Sequence, residues 1–177
     1  MKILTVNCIA LDAQTRIAEL KRGELERRFP SFFMREAALA AAFRELPRPG
    51  EAVYCRPVSE GGIFSALWRM AESLDTGLVV DIKKIPIRQE TIEILELYDI
   101  NPYYALSENC LLAVLEDPEP YLAGLRKMKI PAAVIGELMP GPGRILKNGE
   151  RIRYLDREQP EELLKILGAY PVRRDPA

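Results

Sequence analysis

The apolar positions change period several times along the chain, and each change predicts an element. Residues 2–9, Lys-Ile-Leu-Thr-Val-Asn-Cys-Ile, are rich in β-branched and apolar types and predict a strand. Residues 12–29 are highly charged, with Glu24 and Arg28 spaced and ordered to support an exposed helix. A second helix is predicted over 33–46, where alanines suit close helix packing, and Pro47-Arg48-Pro49-Gly50 ends it. This divides the chain into an N-terminal strand and helical extension (1–50), a main domain (51–170) and a tail (171–177).

Within the main domain, residues 52–56 predict a short strand. A helix opens at Glu60-Gly61-Gly62 and runs to about Leu74, with Ile63, Leu67, Met70, Ala71 and Leu74 on one face. A strand over Leu78–Ile82 is followed by a helix over Arg88–Tyr98, which Asn101-Pro102 ends. Leu111–Leu115 is a continuous apolar run, as expected of a central strand. A helix (Pro118–Met128) and a strand (Ala132–Leu138) come next. Asn148-Gly149 between two alternating runs signals a hairpin over 144–154, and a terminal helix is expected at Glu161–Leu167. The predicted fold class is α+β: a mixed β-sheet with helices packed on it.

Composition narrows the chemistry. A chain of 177 residues that is 48% hydrophobic is long and apolar enough to form a real core. Lys+Arg (25) and Asp+Glu (26) nearly cancel, which gives no pull toward nucleic acid or an anionic membrane and is compatible with self-association. The apolar start is too short for a signal peptide or a membrane span, so a cytoplasmic location is expected. Cys8, Cys55 and Cys110 lack the spacing of a zinc site or a disulfide framework. Histidine is absent altogether, which excludes Ser-His-Asp and Cys-His catalysis and histidine-based metal sites.

Two short segments could carry binding chemistry. Ser59-Glu60-Gly61-Gly62 precedes a helix, where glycines let a ligand approach the backbone and the first N–H groups point outward. That makes a phosphate cradle, although an ordinary capped loop has the same appearance and the Glu60 carboxylate repels phosphate. Ser107-Glu108-Asn109-Cys110 lies at the lip of the apolar strand. There Glu108 could act as acid or base or hold Mg²⁺, Asn109 could bond a ligand, and a solvated turn is the plain alternative. The cysteines read as core residues; only Cys55, beside Arg56, hints at a reactive thiol. Trp68 and Pro140-Gly141-Pro142-Gly143 read as packing and connector, and Lys21-Arg22 with Arg27-Arg28 as a solvated helix face.

From about residue 55 to 150 the chain resembles the C-terminal domain of the aminoimidazole ribonucleotide synthetase-related family, which includes selenophosphate synthetase, thiamine monophosphate kinase and the hydrogenase maturation carbamoyl-dehydratase. The residues that carry the resemblance are VSEGGIFSALWRMAESLDTGLVVDIKKIPIRQETIEILELYDINPYYALSENCLLAVLE and IPAAVIGELMPG. The hydrogenase maturation branch looks most similar. The resemblance implies a lid domain whose glycine loop, here Gly61 and Gly62, closes over a nucleotide held by a separate N-terminal domain. It places Glu108 and Asn109 among the cleft residues. The family's Asp-x-Thr before the glycines is replaced by Val58, Ser59 and Glu60, and where the hydrogenase maturation branch has a C-terminal cysteine tail this chain reads Arg173-Arg174-Asp175-Pro176-Ala177. Residues 1–50 are too few and too helical to stand for the nucleotide domain. The expectation is therefore a binding, regulatory or accessory module with no catalytic residue or metal site of its own. ATP with Mg²⁺ is at most a weak ligand, and the partner is a second copy (a dimer) or a separate nucleotide-domain protein. The alternative is the lid subunit of a split ATP-dependent enzyme.

Overall fold

A computed structural model describes residues 1–167, so the expected tail at 171–177 lies outside the described residues. The chain builds one mixed seven-stranded sheet with helices on it. The strands are β1 (Lys2–Val6), β2 (Tyr54–Ser59), β3 (Gly77–Asp81), β4 (Ser107–Leu115), β5 (Ala132–Met139), β6 (Arg144–Asn148) and β7 (Arg151–Tyr154). Their order across the sheet is β2-β4-β1-β5-β3-β6-β7, antiparallel throughout except for the parallel β3–β6 pair.

The first strand is not peripheral. β1 lies between β4 and β5, and its side chains alternate between two cores: Ile3 joins the layer on one face, Leu4 and Val6 the layer on the other. β4 does the same, with Cys110, Leu112 and Val114 on one side and Leu111, Ala113 and Leu115 on the other. Burial on both faces is why Cys110–Leu115 of β4 reads as an unbroken apolar run and why β1 is apolar apart from Lys2 and Thr5. The first face is covered by α4 (Gly62–Leu74) through Ile63, Leu67 and Met70; the second is covered by α6 (Glu119–Lys127) through Leu122 and Leu125.

The charged stretch after β1 forms two helices, α1 (Leu11–Leu20) and α2 (Arg22–Arg28), where one was predicted, with α3 (Ser31–Ala41) following. α1 and α3 pack on α5 (Gln89–Glu96), and Ala10, Ile17, Leu25, Ala37 and Ile94 share a third core cluster. A last short helix, α7 (Leu164–Leu167), packs Ile166 and Leu167 against that cluster. α3 buries Ala37 alone and leaves Phe32 and Leu39 exposed.

Both sheet edges carry residues that discourage further strand pairing. Pro57 stands in β2, beside a register shift at Pro57/Ser59, and β7 is fully exposed with Arg151 and Arg153. The hairpin turn falls one residue later than the Asn148-Gly149 reading. Asn148 pairs with Arg151, so Gly149 and Glu150 form the loop, and Gly149 takes the positive φ (63°) that suits glycine at a first hairpin position.

Candidate functional site

The Ser59–Gly62 loop joins β2 to α4 through three residues of positive φ: Ser59 (57°), Gly61 (71°) and Gly62 (65°). Both glycines are also forced by close contact. A Cβ on Gly61 would lie 2.7 Å from the Gln159 carbonyl oxygen, and one on Gly62 would lie 2.5 Å from the Tyr103 carbonyl oxygen. What approaches this loop is therefore the chain's own backbone.

The N-terminus of α4 already holds a carboxylate. Glu161, 9% exposed, accepts the Gly61 N–H at 2.8 Å through Oε2, and the Leu106 and Leu163 N–H groups at 3.1 and 2.9 Å through Oε1. A carboxylate here gains from the helix dipole and from otherwise unpartnered donors. Burial pushes the Glu161 carboxyl above its ordinary pKa, opposed by those three N–H groups and reinforced by nearby Glu60. Neighbouring residues fasten the same segment. The Ser65 hydroxyl donates to the Gln159 carbonyl and accepts from the Gln159 N–H, both at 3.0 Å. Arg69 pairs with Glu158 and donates to the carbonyls of Val58 and Glu60 at 3.0 Å. Residues 158–163 thus form a strap across the glycine loop. Sequence reasoning missed Glu161 because a separation of 100 residues from Gly61 leaves no local signal.

The second segment is next to the first: Ser59 of β2 pairs with Ser107 of β4, and Glu161 holds the N–H groups of both Gly61 and Leu106. Ser107, Glu108 and Asn109 are the first residues of β4 itself. Ser107 is buried, and its Oγ accepts the Ala10 N–H at 2.7 Å at the start of α1. The Asn109 N–H donates to Asp12 Oδ2 at 2.8 Å, and its carbonyl accepts from Asn7 Nδ2 at 2.8 Å. Glu108 is exposed, and with Asn109 and Asp12 it lines a cleft of about 830 Å³ that α1 and α3 share. Burial raises the pKa of Asp12; Glu108 adds to the rise, while the Asn109 N–H and Arg16 oppose it. Deeper in the same region Gln14 joins α1 to its neighbours. It donates to the Ala37 carbonyl at 2.7 Å and accepts from Thr91 Oγ1 at 2.5 Å. Asp12 was also missed as a site residue; its only signal was a lone acid at a helix start straight after a strand.

The structure sets the two segments side by side through the Ser59–Ser107 pair and Glu161, but residues 59–62 do not line the cleft that Glu108 and Asn109 line. The loop 59–62 meets the strap, and Glu108 and Asn109 face the α1–α3 cleft. The thiols are not activated. Burial raises the pKa of Cys8, Cys55 and Cys110, and the cation that acts on Cys55 is Arg48, not Arg56. Among the described residues no cluster of three metal-ligating side chains forms, and no helix is long and apolar enough to cross a membrane.

Comparison with known proteins fits this geometry. The family model described as AIR synthase related protein, C-terminal domain, matches residues 16–147, beginning inside α1 and running through position 50. Phosphoribosylformylglycinamidine synthase subunit PurL of Methanopyrus kandleri is 28% identical over 118 residues, which are 66% of this chain and 16% of PurL. Carbamoyl dehydratase HypE of Rhodobacter capsulatus is 30% identical over 64 residues, 36% of this chain and 19% of HypE. The crystal structure of E. coli HypE superposes with a TM-score of 0.66 at 20% identity, over 98% of this chain and 52% of HypE. Thiamine-monophosphate kinase from Stenotrophomonas maltophilia gives a TM-score of 0.59 at 14% identity, over 83% of this chain and 50% of the kinase. The chain thus spans less than a fifth of these curated relatives and about half of these solved structures, with which it shares a fold. It belongs to the AIR synthase related family, through that family's C-terminal domain.

Proposed function

We propose that this chain is a binding or accessory module of its family that does not turn over nucleotide by itself. The observation that carries the reading is Glu161. Its carboxylate takes the Gly61 N–H at the start of α4, where an external phosphate would have to bind. A phosphate arriving there must displace the strap and meet the Glu60 carboxylate as well. Ser59, Glu60, Gly61 and Gly62 are then an internally capped loop, and MgATP is at most a weak ligand. The chain works with a partner, either a second copy or a separate protein. A HypE has been solved with HypF, which supports a second protein as the partner.

Incubating the purified chain with Mg²⁺ and ATP tests this. Expected are no steady release of phosphate and no saturable thermal shift; a ligand at a hundred times its Kd stabilises by about 2.7 kcal/mol, so real binding is easily seen. Steady phosphate release that a folded Gly62→Asp variant lacks overturns the reading.

A second reading is the lid subunit of a split ATP-dependent enzyme. It is favoured by a relative of the same fold, a HypE solved in complex with ATP, of which this chain matches 52%. It predicts ATP turnover only when a separate nucleotide-domain protein is added.

A further inference from the structure

The polar end of the α1–α3 cleft offers hydrogen-bond acceptors and, among the described residues, no unpaired cation. The cleft's two arginines are already engaged: Arg16 pairs with Glu19 at 3.5 Å and Arg22 with Glu26 at 2.9 Å. Asp12 and Glu108 have no basic side chain within ion-pair distance among the described residues, although each lines the cleft. Asn109 follows Glu108 in β4, donates its N–H to Asp12 and lines the same cleft. Asn109 is only 4% exposed, its Nδ2 reaches the Ala42 carbonyl at 3.5 Å, and its Oδ1 has no partner among the described residues. A buried amide oxygen without a donor costs on the order of 1–3 kcal/mol, so a ligand that supplied a donor would recover that loss.

These three groups select the ligand. Two carboxylates repel an anion, and an unpartnered carbonyl oxygen asks for an N–H or O–H. A bare metal ion is not favoured, because the described residues form no cluster of three ligating side chains. The wall beside the acceptors is apolar: Met34, Ala38, Ala41 and Phe43, the last 83% exposed. A stem that covered Phe43 and the α3 alanines would bury surface the fold leaves wet.

We propose that the α1–α3 cleft binds a small organic cation, an ammonium, amidinium or guanidinium group on an apolar stem, held by Asp12, Glu108 and Asn109. This deepens, and rests on, the reading of the chain as a binding module. Burial raises the pKa of Asp12 although Arg16 opposes the rise, and a cation seated beside the carboxylate would oppose it further.

The test is titration calorimetry of the full chain with benzamidine and with benzamide, its neutral analogue of the same shape. Benzamidine is expected to bind saturably and benzamide not to bind. Glu108→Gln and Asp12→Asn are each expected to weaken benzamidine at least tenfold, while Glu36→Gln, on the exposed part of α3, keeps wild-type affinity. Glu108 is exposed, so its variant tests the site even if Asp12→Asn unfolds. Equal binding of the two probes overturns the proposal, as does wild-type affinity in Glu108→Gln. Neither result bears on nucleotide turnover at residues 59–62, so this site and the accessory reading fail separately.

Discussion

Replacing Glu161 with alanine is the sharpest test of how the glycine loop is held. The substitution strands three N–H donors, those of Gly61, Leu106 and Leu163, in a region the side chain now buries. A buried donor left without an acceptor costs about 1–3 kcal/mol. The lower end applies, because the variant also sheds the burial penalty that raises the Glu161 pKa. Three donors at about 1 kcal/mol each give a loss of about 3 kcal/mol, which for a domain of this size lowers Tm by about 6–12 °C. The control is Glu158→Ala. Its carboxylate pairs with Arg69 at the surface, so it is expected to cost at most about 1 kcal/mol. Glu161→Gln keeps an oxygen for Leu106 and Leu163 and loses only the Gly61 bond, so it falls between the two. Thermal unfolding orders the variants, and amide hydrogen exchange at Gly61 locates the effect. If Glu161→Ala melts no lower than Glu158→Ala, the carboxylate is not what holds the strap to the loop.

Two further expectations concern the same two regions. Gly62→Ala adds a Cβ 2.5 Å from the Tyr103 carbonyl oxygen at a φ of +65°; left-handed strain and overpacking together cost about 2–5 kcal/mol, measurable by denaturant unfolding. The second follows from the sign of the Asp12 shift. Its folded pKa lies above the unfolded one, so between the two the folded state binds more protons and stability rises as pH falls. Asp12→Asn cannot titrate, so the wild type should gain on it as pH is lowered from neutral through the folded pKa toward the ordinary aspartate value. A stability difference between the two that stays constant over that range would remove Asp12 as the titrating group.

The parts of this fold that were legible in the sequence are those with local causes. Periodicity located α4 and α5, because a helix that buries one face writes that face at a fixed spacing, and Pro118 marked the start of α6. The unbroken apolar run at Leu111–Leu115 marked a strand buried on both sides, and β4 is one. The single helix predicted over 12–29 is two in the structure. A polar, charged stretch carries little periodic signal to show that Lys21 closes one helix and opens the next.

Pairing was not legible, and this changes the meaning of the N-terminal segment. Residues 1–50 looked like an extension because Pro47-Arg48-Pro49-Gly50 is a strong local stop. A stop ends a helix without separating a domain. β1 enters the sheet at its middle through β4 and β5, more than a hundred residues later. Removing 1–46 would therefore withdraw a central strand, leave two rows of backbone donors and acceptors unpaired, and also uncover Ile94, Leu95 and Leu106, which pack against α1–α3. The same long-range closure decides the chemistry. Gly61 looked like a phosphate donor from its neighbours alone, and a glutamate a hundred positions away occupies it. Glu108 and Asn109 looked like a cleft lip, and the acid that completes the cleft, Asp12, lies 97 positions before Asn109. Both candidate sites are defined by contacts between the first, middle and last parts of the chain. A variant that loosens the sheet at β1 should therefore disturb the Asp12–Asn109 contact, and a variant at Glu161 should reach it more weakly, through the Leu106 N–H that Glu161 holds and the Leu106 carbonyl that accepts the Ala13 N–H.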